Sequence, residues 1–217
     1  LSFVICQFSF VIEGGERESS TLDRLDTTMN LQRTISTVYQ DPLELVWVST
    51  ARCFGIEVVR DPNVFASWDG VGTLRIGDPS SLDADDSLAQ MILHELCHAL
   101  VEGPESFRLP DWGLEITNQT QRVHEHACLR LQAALATRHD LREFFAATTN
   151  SRTYYDNLPD DPLRDDEDPA VPMALAGWQR ATEGPWASEL ERALRVTAAI
   201  ADLIRPHVAK ESIWSRD

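Results

Sequence analysis

Asp83-Ala84-Asp85-Asp86-Ser87-Leu88-Ala89-Gln90-Met91-Ile92-Leu93-His94-Glu95-Leu96-Cys97-His98-Ala99-Leu100-Val101 reads as a single helix, with the remaining elements arranged around it. Acidic residues fill the expected first turn, Asp83 or Asp85 is the expected N-cap, and Gly103-Pro104 is a stop signal. From Met91 onward the pattern is apolar nearly all the way round, which predicts burial on most sides. His94, Glu95 and His98 are then polar side chains in an apolar setting, where each buried group without a partner costs a few kcal/mol. A metal ion removes that cost for all three.

The four-residue spacing stacks His94 and His98 on one helix face, within reach of a single Zn²⁺, and turns Glu95 aside toward a metal-bound water. A His-Glu-x-x-His run arises by accident in roughly one chain in a hundred of this length and composition. The helix pattern around it therefore carries as much of the argument as the five letters.

His94-Glu95-Leu96-Cys97-His98 resembles the signature of the zincin metallopeptidases, and the resemblance covers roughly residues 56 to 139. It implies a zinc-dependent peptidase fold in which a strand at the edge of a small sheet precedes the motif helix and lies along the substrate cleft. Thr73-Leu74-Arg75-Ile76, after the turn Asp69-Gly70-Val71-Gly72, is the matching segment. The longer metzincin form is excluded, because Val101 and Pro104 stand where its glycine and third histidine belong.

A zinc peptidase site needs three protein ligands and one open position. The second long helix, about Asn118 to His139, is the expected source of the third ligand. Val123, Ala127, Leu131, Ala134 and Leu135 define its buried face, His124 points into the middle of that face, and Glu125 and His126 turn progressively away. Periodicity therefore selects His124. The small gluzincins that the chain resembles place a glutamate on this helix instead, which keeps Glu125, and Glu115 in Asp111-Trp112-Gly113-Leu114-Glu115, as rivals. Cys128, one turn after His124, is a further alternative ligand.

With His94, His98 and the third ligand holding Zn²⁺, Glu95 is the general base that takes the proton of the attacking water and returns it to the leaving amine. Tyr154, Tyr155, Arg152 and His139 are the oxyanion-donor candidates, none distinguished by spacing. The expected substrate is a peptide or protein. Two other readings use the same parts: a zinc-binding domain that acts through a protein partner without cleaving, and a metal-dependent hydrolase of a non-peptide amide. An intact Glu95 argues against the former, since a purely structural site has no use for a base.

The 217 residues carry a formal charge of -16 and 43% hydrophobic content. That charge argues against nucleic acid or an anionic membrane as partner, both of which demand clustered Lys and Arg. Much of it sits in Asp156 to Asp168, which reads as a solvated loop. The four cysteines, Cys6, Cys53, Cys97 and Cys128, lack zinc-ribbon spacing and are too few for a disulfide scaffold. The last three fall on predicted helices as small buried hydrophobes, which fits a reducing compartment and a cytoplasmic location.

Residues 1–28 read as an upstream extension, disordered or non-native, with Met29 as the natural start. A truncated signal peptide within residues 1–12 would instead place the protein outside the cytoplasm. Residues 29–217 are expected to form one domain. Asp41-Pro42 opens a helix ending at Gly55, Ile56 to Arg60 predicts a strand, and helices are expected near Val171 to Thr182 and Pro185 to Val208. The sum is an α+β fold: a helix-dominated zincin-like domain with one small sheet beside the metal-binding helix.

Overall fold

The computed structural model describes residues 36–115, 119–148, 151–164 and 167–215. The chain divides into two units, Leu1–Val38 and Tyr39–Asp217, and every element described below belongs to the second. The expected extension over residues 1–28, with its boundary, lies outside the described residues.

Helix α1 (Pro42–Cys53) starts where its signals predict: the Asp41 carboxylate accepts hydrogen bonds from the amides of Leu43 and Glu44 at 2.9 and 3.1 Å, and Pro42 fills the first position. Gly55, at φ 79°, turns the chain into strand β1 (Glu57–Arg60). Strands β2 (Ala66–Trp68) and β3 (Thr73–Ile76) form a hairpin whose turn is tied by Asp69, which accepts from the amides of Val71, Gly72 and Thr73. Those hydrogen bonds, led by the one from Thr73, hold the Asp69 carboxyl well below the usual carboxylate range.

The sheet runs β1-β3-β2, with β1 parallel and β2 antiparallel to β3. Thr73–Ile76, expected at the edge, is therefore the central strand. The tight Asp69 turn folds Ala66–Trp68 back against it, and this unpredicted strand becomes the edge.

Helix α2 (Leu88–Glu102) begins two to four residues later than its acidic stretch suggested. Ser87 is the N-cap, its hydroxyl accepting from the Gln90 amide at 3.2 Å. Asp86, just before it, is engaged elsewhere and accepts from the Asp83 amide at 2.8 Å and from the Thr148 hydroxyl. The predicted burial holds, with Ile92, Leu93, Leu96 and Cys97 fully enclosed.

Around α2 pack α1, α3 (Gln119–Thr137) and α5 (Val171–Glu183). Arg180 of α5 donates to the carbonyls of Leu100 and Val101 at 2.6 and 2.9 Å, which satisfies two orphan acceptors and sets a positive charge at the negative end of α2. At Gly177 a Cβ would stand 2.9 Å from the Leu131 side chain and 3.0 Å from that of Val101, so only glycine lets α5 approach α2 and α3 this closely. Helix α6 (Ala187–Ile204) covers α1, where Trp47 donates to Thr197 at 3.0 Å. A short α4 (Arg152–Asp156) had no sequence signal.

The acidic segment after α4 is not simply solvated. Arg130 of α3, 2% exposed, donates to the Pro162 carbonyl and to Asp168, each at 2.7 Å, which pins the segment to the core. Cys97 and Cys128 are buried as expected, whereas Cys53 is exposed on the last turn of α1. The described architecture is thus α+β and helix-dominated, with one three-stranded sheet. Among the described residues no helix is long and apolar enough to cross a membrane.

Candidate metal centre

Helices α2 and α3 run antiparallel, and their facing side chains pair in sequence: His94 with Cys128 and Gln132, His98 with Glu125, Glu102 with His124. The imidazoles of His94 and His98 stand edge to face, with their Nε2 atoms 3.2 Å apart. The Glu125 carboxylate faces both, its Oε2 3.2 Å from His98 Nε2 and its Oε1 3.7 Å from His94 Nε2. Burial pushes this carboxyl up, but the charge of His94 and the hydrogen bond from His98 outweigh it and hold Glu125 at about 2. Burial likewise pushes His98 down, and the hydrogen bond and charge of Glu125 reverse the direction.

The orientation of His94 is set from behind. Gln132, 2% exposed, donates its amide N–H to the Phe145 carbonyl at 2.6 Å and so aims Oε1 at His94 Nδ1, 2.9 Å away. Nδ1 therefore carries a proton, so that in the neutral ring it is the Nε2 lone pair that faces His98 and Glu125. Cys128 lies on the same rear side: its thiol donates to the His94 carbonyl at 3.3 Å and lies 3.6 Å from Nδ1. Ligand atoms of His94, His98 and Cys128 fall within 4.8 Å of one another, so this trio could also hold a metal ion. Without a metal, burial pushes the Cys128 thiol well up.

Glu95 stands beside them, 8% exposed, and its Oε2 accepts from the Trp112 indole at 2.8 Å. Trp112 reaches it from a turn in which Asp111 and Trp112 both adopt the left-handed region, at φ 47° and 59°. That turn is held by the Asp111 carboxylate, which accepts from the Trp68 amide at 3.0 Å, and by parallel stacking of Trp112 on Trp68 at 4.8 Å. A strand-edge residue thus fixes the loop that fixes the carboxylate.

His94, Glu95, His98, Trp112, Glu125 and Gln132 open onto one cavity of about 800 Å³, walled by Phe65 and Ala66 of the sheet edge, Met91 of α2, Leu114, and Ala146 and Thr148 beyond α3. Its size suits a small ligand or a peptide segment.

The structure brings His94, Glu95 and His98 together, and brings Glu125, not His124, to them. His124 lies at the far end of α2, where its Nδ1 meets the Glu102 carboxylate at 2.7 Å. Periodicity selected the face turned to the core, but the α3 side chain that meets His94 and His98 lies on the border between core and cavity, one helix position round. His126 stacks on Tyr154 at 3.6 Å, and Glu115 is exposed. None of the oxyanion-donor candidates reaches the cavity. Tyr154 serves Arg130 and Asp168, Tyr155 donates to the Arg142 carbonyl, Arg152 pairs with Asp156 and His139 with Glu191. The sequence reading missed Trp112 and Gln132; for Gln132 the signal was a polar stripe, Gln121, Glu125, Cys128 and Gln132, at helical spacing along α3.

Comparison of the chain with protein-family models, with curated proteins and with solved structures finds no match.

Proposed function

We propose that this chain is a zinc-dependent hydrolase of the zincin type that cleaves peptide bonds, with His94, His98 and Glu125 as ligands and Glu95 as general base. The observation that carries the reading is the pair of Nε2 atoms faced by one carboxylate. Donors bound about 2.0–2.2 Å from one tetrahedral ion stand about 3.3–3.6 Å apart; here the two Nε2 atoms are 3.2 Å apart, and the Glu125 carboxylate spans them with Oε1 3.7 Å from His94 Nε2 and Oε2 3.2 Å from His98 Nε2. Two imidazoles and a carboxylate also suit ferrous iron. Glu95, a buried carboxylate beside the donors and outside their set, favours hydrolysis.

When bound, Zn²⁺ supplies Lewis acidity, polarising a carbonyl and acidifying a water near neutral pH. The chain supplies the rest. Gln132 holds His94 in the one tautomer that offers Nε2. Trp112 ties down one oxygen of Glu95 and leaves the other uncommitted among the described residues, ready to take a proton from water and deliver it to the leaving amine.

Metal analysis and turnover test the reading together. Protein purified without chelator should carry one zinc, the His94→Ala/His98→Ala variant none, and Glu95→Gln should keep zinc while losing cleavage of a random peptide pool. Zinc-loaded protein inert toward that pool would leave the second reading, a non-catalytic zinc site in which Cys128 joins His94 and His98 in place of Glu125.

A further inference from the structure

Two carboxamides in the cavity wall are not used by the fold. Gln90 lies on α2 one turn before His94, and Gln121 lies on α3 one turn before Glu125. Each therefore stands four residues ahead of a donor of the metal centre, and both line the cavity. Gln90 is only 5% exposed, yet its Oε1 has no hydrogen-bond partner, and Gln121 Oε1 is likewise buried and unpartnered. Among the described residues neither side-chain amide forms any hydrogen bond. Gln132 is the contrast, with both ends of its carboxamide satisfied inside the protein.

Unpaired buried amide oxygens are rare in native interiors because they are costly. Two of them flanking the same centre, one on each ligand-bearing helix, point to a ligand that completes them. A carboxamide both donates and accepts, and can turn either end forward by rotation about its last bond. A secondary amide offers the same two functions, whereas an ester or a carboxylate offers only acceptors. We infer that Gln90 and Gln121 grip the main-chain amides of an extended peptide laid across the centre. The inference rests on the hydrolase reading above for the position of the scissile bond, and narrows its substrate to chains of secondary amides.

The test separates the two. The zinc-loaded Glu95→Gln chain, with ¹⁵N in its glutamine side chains, is titrated with a pool of N-acetylated, C-amidated random tetrapeptides, and with the matched pool in which esters replace the amides. The Gln90 and Gln121 signals, assigned by their loss in Gln90→Met and Gln121→Met, should shift with the amide pool and stay still with the ester pool. Gln90→Met, nearly isosteric and apolar, should weaken peptide binding about tenfold without lowering the melting temperature, since it removes an unpartnered oxygen. Signals unmoved by peptides, signals moved alike by both pools, or parental binding by Gln90→Met would overturn the inference. Peptide binding through the glutamines by a protein that never cleaves would sink the hydrolase reading alone. Cleavage by the parent with unmoved glutamine signals would do the reverse.

Discussion

Trp112 donates its indole N–H to Glu95 at 2.8 Å from a backbone held in the left-handed region at φ 59°. Such a conformation costs a bulky residue of order 1–3 kcal/mol and persists only where its surroundings impose it. Here Asp111 and the stacked Trp68 impose it. Trp112→Phe keeps a stacking ring and deletes only the donor. A hydrogen bond to a charged group contributes about 1.5–3 kcal/mol, so kcat should fall tenfold or more while zinc content stays at one. Steady-state kinetics beside metal analysis checks this, and an unchanged kcat would mean that Glu95 works without being held.

Gln132 acts through His94. Its replacement by leucine leaves the Phe145 carbonyl and His94 Nδ1 without their partners and frees the ring to turn. Loss of such an orienting contact typically costs 10- to 100-fold in metal affinity. Gln132→Leu should weaken zinc binding by about that factor, read by competition with a chromophoric chelator. Affinity equal to the parent's would show that α2 alone orients the ring.

The fold was legible wherever local signals agreed with tertiary needs. Asp41-Pro42 and Gly55 bounded α1, and the apolar run after Met91 marked a helix enclosed on most sides, because capping and burial leave direct traces in residue type. β2 was not legible. Ala66–Trp68 is three residues long and exists because the Asp69 turn folds it onto β3, a pairing that no periodicity encodes. Helix α2 likewise announced that His94, Glu95 and His98 share one place, while which residue of α3 meets them depended on how α3 is rotated against α2. That rotation is fixed by distant packing, including the close approach at Gly177, so a one-residue difference between His124 and Glu125 could not be read locally.

Gly177 offers a test of that packing. Alanine is favoured over glycine in a helix by about 1 kcal/mol, yet here the added methyl would stand 2.9 Å from Leu131 and 3.0 Å from Val101, both in a closed core. Overpacking of this kind typically costs 1–3 kcal/mol. Gly177→Ala should therefore lower stability by up to about 2 kcal/mol in urea unfolding, against the helix-propensity trend. A stabilised variant would mean that α5 can withdraw from α2 and α3 at little cost.

The ligand set is the sharpest prediction, because three residues on one helix compete to be the third ligand. Glu125 has its carboxylate within 3.2 and 3.7 Å of the two Nε2 atoms. Cys128 sits behind His94, its thiol given to a backbone carbonyl and, without a metal, pushed away from ionisation by burial. His124 is paired with Glu102 at 2.7 Å. Zinc bound to the native state alone should stabilise it by about 4 kcal/mol at a thousandfold excess over Kd, so the zinc-induced rise in melting temperature reports affinity without any substrate. Glu125→Gln should abolish most of that rise. His124→Gln should lower the melting temperature of metal-free and zinc-loaded protein alike, through loss of the Glu102 pair, and leave the rise intact. Cys128→Ala, which also creates a small cavity, should behave like His124→Gln. If Cys128→Ala erases the rise and Glu125→Gln does not, the ion sits among His94, His98 and Cys128, and the case for an open catalytic position goes with it.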